Sequence, residues 1–322
     1  MLKYIFLFLA VIGFWAATPL GYAQAQDVVF SEYKVPENRK DRKFLSHKAF
    51  KAAPYTPGDI SRFMFDDWSG KPIPVWAYVP TGVDVTQAPI LFMMHGAKRN
   101  PARYLLEWAP HAEERGFIVV APEFSRKDYY GSRRYNQGNV WRKVDDTYEP
   151  RQEKDWSFSA IEPLFDHTVA ALDSQQKSYT IYGHSAGSQF VHRFLYYKPE
   201  ARVKRYLAAN AGWYTLPDMD TSWPYGLKDS LVSEDDLKGS LGKNVIVLLG
   251  DKDIDMTSKS LRKTPEALAQ GEHRYNRGVN FMRVAREQAK VLGVTTRWSA
   301  KTVEGVGHYN SGMAAAAAQF VY

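Results

Sequence analysis

The chain of 322 residues contains no cysteine. That absence excludes disulfide staples, thiolate metal sites and a cysteine nucleophile, so the core alone must hold the fold. Long apolar runs are almost as scarce. Ile5 to Ala17 is one, shorter than the ~20 residues a spanning helix needs. It follows a short positive start, Met1-Leu2-Lys3, and precedes the small residues Ala23-Gln24-Ala25. This order predicts a secretory signal peptide over residues 1–25 and an exported protein, periplasmic or secreted, with an uncleaved anchor as the alternative. No cysteine follows the apolar run, so a lipid-modified N-terminus is not expected, and the shortness of the run argues against a stable membrane anchor. No internal repeat, interdomain linker or nucleic-acid module is legible, and a nucleic-acid partner is not expected.

What remains is an ordinary globular composition, 45% hydrophobic and 24% charged, ample for one large domain over residues 26–322. The formal net charge of +7 suits anionic partners without requiring them. Residues 26–58 are polar and carry the charge run Arg39-Lys40-Asp41-Arg42-Lys43, which reads as a solvated extension. Residues 62–65 and 75–79 are short strand-like runs around Asp66-Asp67-Trp68-Ser69-Gly70, a hairpin signal; Pro72 and Pro74 place it at a sheet edge.

Continuous apolar runs at 89–94, 117–120 and 245–249 predict strands buried on both faces of a parallel sheet. Residues 205–209 and 297–303 are further strand candidates. A helix is expected at 100–115, with Asn100 as its cap, Pro101 at its first position and Gly116 past its end. Others are expected at 159–173, after residue 185, at 280–292 and at the alanine-rich end of the chain. The alternation predicts an α/β fold with a doubly wound, mostly parallel sheet and helices on both faces. Between Ser125 and Phe158 the periodicity stops, and aromatic residues alternate with arginines and lysines. A loop of that length is uncommon unless functional. It reads as a cap-like insertion over a site, with a polyanion-binding surface or an inert insertion as alternatives.

The stretch Tyr179-Thr180-Ile181-Tyr182-Gly183-His184-Ser185-Ala186-Gly187 is a strand running into G-x-S-x-G and then a helical pattern. This is the signature of a nucleophile elbow, in which Ser185 occupies a turn too tight for side chains two positions away on either side. His308, in a glycine-flanked loop after the last strand, is the candidate base. A carboxylate from the 250–255 loop would orient it, and Asp253 is favoured. Asp251 follows the strand at once and is better placed to close the turn, and Asp255 lies where the chain leaves. The backbone N–H groups of Ala186 and Ala97 are candidate oxyanion donors. Trp213 and Tyr214, past another strand end, are candidate substrate-binding residues. His95 and His184 read as residues that hold their own loops. Asp251, Asp253 and Asp255 alternate as in a calcium loop but lack its later glycine and glutamate, so no metal is expected.

His95-Gly96, the Gly183–Gly187 elbow, Gly250-x-x-Asp253 and Gly305-Val306-Gly307-His308 together resemble the α/β-hydrolase superfamily. More narrowly they are similar to secreted esterases of the poly(3-hydroxybutyrate) depolymerase-like and feruloyl-esterase-like groups. The resemblance implies an exported serine hydrolase that cleaves small or oligomeric carboxylic esters through an acyl-enzyme, without cofactor. The alternatives are a non-catalytic ligand-binding relative, or a peptidase or acyltransferase using the same residues.

Overall fold

Alternate residues of one apolar run face opposite sides of the sheet, and both sides are covered. In β3 (Ile90–Met94), Ile90, Phe92 and Met94 join one apolar cluster, while Leu91 and Met93 join a second. The computed structural model in which this is seen describes residues 53–322; the expected signal peptide and polar extension up to Ala52 lie outside the described residues. A hairpin, β1 (Ile60–Phe65) and β2 (Ile73–Tyr78), precedes β3. Helix α1 (Pro101–Arg115) follows, with Asn100 Oδ1 accepting the Arg103 N–H and Gly116 in the left-handed conformation that ends it.

The chain continues through β4 (Ile118–Pro122), a small hairpin of β5 (Trp141–Val144) and β6 (Thr147–Pro150), α2 (Ile161–Leu172), β7 (Tyr179–His184) and α3 (Ala186–Tyr197). It ends with β8 (Val203–Ala209), α4 (Glu234–Leu241), β9 (Val245–Gly250), α5 (Pro265–Ala269), α6 (Arg274–Val291), β10 (Trp298–Val303) and α7 (Asn310–Ala318).

Eight strands form one sheet in the order β1-β2-β4-β3-β7-β8-β9-β10, parallel from β4 onwards, with β1 and β2 antiparallel. Helices α1 and α7 cover one face, and α2, α3, α4 and α6 the other. From β3 the chain first builds outward through β4, then crosses back to β7 on the other side. The carboxyl ends of β3 and β7 therefore flank a topological switch point, where open α/β sheets leave a crevice. No helix among the described residues is long and apolar enough to cross a membrane.

Three expectations need correction. Pro74 lies in β2, which is not an edge strand but runs between β1 and β4. It is tolerated because pairing with β4 starts one residue later, at Val75, while the Pro74 carbonyl still accepts the Glu123 N–H at 2.7 Å. Helix α6 begins at Arg274, six residues before the start read from its apolar spacing. Its first two turns carry arginines on the buried side, where the pattern calls for apolar residues. The 125–158 segment contains the β5–β6 hairpin, whose partly exposed residues show no apolar alternation.

Candidate active site

Strand β7 ends at His184, and Ser185 then takes φ 59° and ψ −115°, a conformation L-residues rarely adopt, before α3 begins at Ala186. The two flanking glycines are required by close packing. A Cβ on Gly183 would lie 2.2 Å from the carbonyl of Gly187, and one on Gly187 would lie 1.9 Å from the carbonyl oxygen of Met94. The elbow is thus wedged against the end of β3, with Ser185 aimed outward at the start of a helix.

Two loops from neighbouring strands meet it. After β9, Asp253 turns back and is 1% exposed; after β10, His308 keeps 24% of its side chain exposed. His308 Nδ1 lies 2.7 Å from Asp253 Oδ2, and Nε2 lies 3.0 Å from Ser185 Oγ. A carboxylate only accepts, so Nδ1 carries the proton and Nε2 is left to accept from the Ser185 hydroxyl. Asp251 points elsewhere, accepting the Gly305 N–H at 2.8 Å and so tying the acid loop to the histidine loop. Asp255 caps its own turn on Thr257. The three alternating aspartates thus face different partners, and among the described residues no cluster has the make-up of a metal site.

Beside Ser185 opens a cavity of about 330 Å³. Ala97, from the loop after β3, and Ala186 line it, together with Gln189, Trp213 and the insertion residues Tyr130 to Ser132 and Asn136. The insertion is anchored rather than draped. Tyr135 donates its hydroxyl to the His95 carbonyl at 2.6 Å, and Phe158 packs edge-on against Phe190 at 4.8 Å. Tyr214 does not reach the cavity. It is fully buried and stacked on Phe281 at 4.4 Å, because its main chain is clamped at both ends by the Gln270 side chain and its ring turns into the core. Its assignment to substrate binding is corrected accordingly.

Comparison with solved structures places this geometry. No family model and no curated protein matches the chain. Among solved structures, poly(aspartic acid) hydrolase-1 from Sphingomonas sp. KT-1 is 42% identical, over 81% of this chain and 98% of that one, at a TM-score of 0.78. The chain belongs to the α/β-hydrolase superfamily. LpqC, a poly(3-hydroxybutyrate) depolymerase from Bordetella parapertussis, is 31% identical over 81% of this chain and 89% of that one, at 0.76. FphF, a fluorophosphonate-binding serine hydrolase of Staphylococcus aureus, is 13% identical over 83% and 98%, at 0.53, a likeness of fold alone.

In this α/β-hydrolase the three buried histidines His95, His184 and His192 are held neutral. Burial and the charge of Arg99 push His95 down to about 3; its Nε2 accepts the Phe124 N–H, which leaves Nδ1–H for the Gly96 carbonyl. His184 is pushed well below the usual range by burial, His308 and Arg274, and its Nδ1 lies 3.0 Å from the Tyr104 hydroxyl. His192 is pushed down by burial and Arg193, and accepts the Thr215 N–H.

Sequence reasoning missed two residues of the α/β-hydrolase site. Asn210, at the end of β8, takes φ 46°. Its Oδ1 accepts the Gly250 N–H at 2.8 Å and its Nδ2 donates to the Gly307 carbonyl at 3.0 Å, which joins the acid and histidine loops. An asparagine at a strand end, tolerant of the left-handed region, was the available signal. Arg193, fully buried on α3, donates to Thr215 Oγ1 and to the carbonyls of Asn136 and Gln189, and its guanidinium lies 4.3 Å from the Trp213 ring. Burial pushes it down to about 9. Arg262 lies at 5.0 Å from the same ring, so two guanidinium groups pack against Trp213. No sequence signal marks an arginine for burial.

Proposed function

We propose that this hydrolase cleaves carboxylic esters through an acyl-enzyme formed on Ser185. The reading is carried by the hydrogen-bonded chain from Ser185 Oγ through His308 to Asp253. Ser185 attacks the ester carbonyl as His308 Nε2 takes its proton; the same imidazole then protonates the leaving alcohol. Asp253 holds the tautomer and balances the imidazolium. The N–H groups of Ala186 and Ala97, on the wall of one cavity, receive the oxyanion. Water repeats the sequence to release the acid. A fluorophosphonate probe is expected to label Ser185 in the folded protein and not after denaturation. Absence of labelling in protein that turns over nitrophenyl esters would refute the nucleophile. Turnover graded by acyl length over a panel of such esters is expected to locate the acyl preference.

Trp213 is proposed as the selective wall of the acyl or alcohol pocket. Trp213→Ala is expected to raise KM for bulky esters by roughly tenfold or more while changing turnover of the smallest ester little. Equal losses on every ester would mark Trp213 as structural. Trp213→Phe keeps a ring against Arg193 and Arg262 and controls for that outcome.

A second reading concerns what the bond belongs to. A second space of about 450 Å³ shares Tyr130, Gly131 and Ser132 with the lining of the first and adds Arg133, Arg134, Arg142, Lys143 and Arg151, of which Arg142 is paired with Glu149 and Lys143 with Asp146. This favours an acidic oligomer, whose scissile ester or amide reaches Ser185 while its charges follow the arginines. The 42% identity to a poly(aspartic acid) hydrolase supports the same reading. On an acidic oligomer KM is expected to climb steeply between 50 and 500 mM salt, roughly the range over which the screening length falls below 10 Å, and on a neutral ester to stay flat. A flat response on both would remove this reading and leave the first.

A further inference from the structure

Helix α6 places two arginines in the protein interior one turn apart, and they are used differently. Arg277 spends its guanidinium on the main-chain carbonyls of Gly271, Gly212 and Arg262, as an arginine that stitches loops together does. Arg274, the first residue of the helix, faces Asp253 instead. Its Nη1 lies 3.3 Å from Oδ1, with the two side chains 2% and 1% exposed, and its Nη2 is steadied on the hydroxyls of Ser258 and Ser260. The two carboxylate oxygens are thus divided, Oδ2 to the His308 imidazole and Oδ1 to Arg274. The helix start grips the same residue by its backbone, since the Tyr275 N–H donates to the Asp253 carbonyl at 3.3 Å.

We propose that Arg274 is a positioning residue of the reaction, which locks the rotation of the Asp253 carboxylate and sets its charge against that of the acid. This rests on the reading of Ser185, His308 and Asp253 given above. Two consequences follow from the geometry. With Oδ1 held, Oδ2 stays in line with Nδ1–H, and the imidazole stays aimed at Ser185. With a fixed cation behind the acid, part of the carboxylate's charge is answered by Arg274, and less of it bears on the imidazolium that forms during the reaction. The other ionisable groups around the pair are His184 of the elbow, its ring 4.9 Å from that of His308, Tyr214 beneath the acid, Asp251 and Asp255 on the acid's own loop, and Arg277. All of them stay in place in the test.

The test compares pH profiles of kcat and kcat/KM for the wild type, Arg274→Gln and Arg274→Lys on a neutral nitrophenyl ester, whose binding an altered charge does not touch. Arg274→Gln is expected to lower kcat by roughly 10² through misalignment, with little change in KM. It is also expected to move the acid limb of kcat/KM upward, because the whole charge of the Asp253 carboxylate then bears on the imidazolium. Arg274→Lys keeps the charge and loses the fork, so the limb is expected to return to the wild-type position while kcat stays reduced. A limb that does not move in Arg274→Gln, or moves equally in both variants, would overturn the proposal and leave Arg274 a packing residue. If near-UV circular dichroism shows Arg274→Gln unfolded, Arg274→Lys decides alone: wild-type kcat there overturns the proposal, and reduced kcat at an unshifted limb supports it. Equal turnover by Ser185→Ala and wild type would instead remove the underlying nucleophile, and this proposal with it.

Discussion

Ser185→Ala is expected to lower kcat for ester hydrolysis by on the order of 10⁶, the scale on which loss of the nucleophile abolishes the covalent route in serine hydrolases. The substitution leaves folding intact for a structural reason. Ser185 sits at φ 59° because the strand, the helix and the carbonyl of Met94 force the turn, and an alanine Cβ bears the same strain as a serine Cβ. Its hydroxyl meets only His308, so no buried donor is orphaned in the core. An unchanged Tm with kcat reduced a million-fold is the expected pair of observations. Retention of more than a tenth of wild-type kcat would sink the assignment.

Asp253→Asn is expected to cost up to about 10⁴ in kcat with KM nearly unchanged, because an amide can offer its NH₂ to Nδ1 and turn the imidazole to the wrong tautomer. The neighbouring carboxylate supplies the control. Asp251 accepts the Gly305 N–H and does not touch the imidazole, so Asp251→Asn is expected to leave kcat within a few fold and to lower stability by about 1 kcal/mol, the difference between a charged and a neutral acceptor in that hydrogen bond. Kinetics and thermal melting of the two variants side by side check the assignment. A kinetic loss in Asp251→Asn and a thermal one in Asp253→Asn would reverse it.

How much of this was legible in the sequence divides by range. The elbow, the cap of α1 and the buried strands are local signals: glycines at fixed offsets, an asparagine before a proline, short apolar runs between turns. They were readable because the physics that forms them acts within a few residues. The meeting of Ser185, Asp253 and His308 could be expected because each follows a strand, and parallel strands end on one edge. What could not be read depends on which residue faces which across the sheet. Pro74 and the six lost residues of α6 were misread because partners from elsewhere override the local pattern. Tyr214 and Trp213 are adjacent and similar in character, yet one turns to the core and the other to the cavity; the side chain of Gln270, more than fifty residues on, decides between them. Asn210, Arg193 and Arg274 work by hydrogen bonds to residues far along the chain, a kind of signal that no window of sequence contains.

Helix α3 is buried along its whole length, from Ala186 to Tyr197. The helix that starts directly after Ser185 has no solvent-facing side from which to open, and its amide hydrogens are expected to exchange with water only when the molecule opens as a whole. The β5–β6 hairpin, with mostly exposed side chains, is at the opposite end of that scale. The outer hairpin of the insertion and the helix behind Ser185 therefore belong to different units of local stability. Substitutions at the hairpin can reshape the arginine-lined space without reaching the elbow, whereas any that loosen α3 spend the stability of the entire fold.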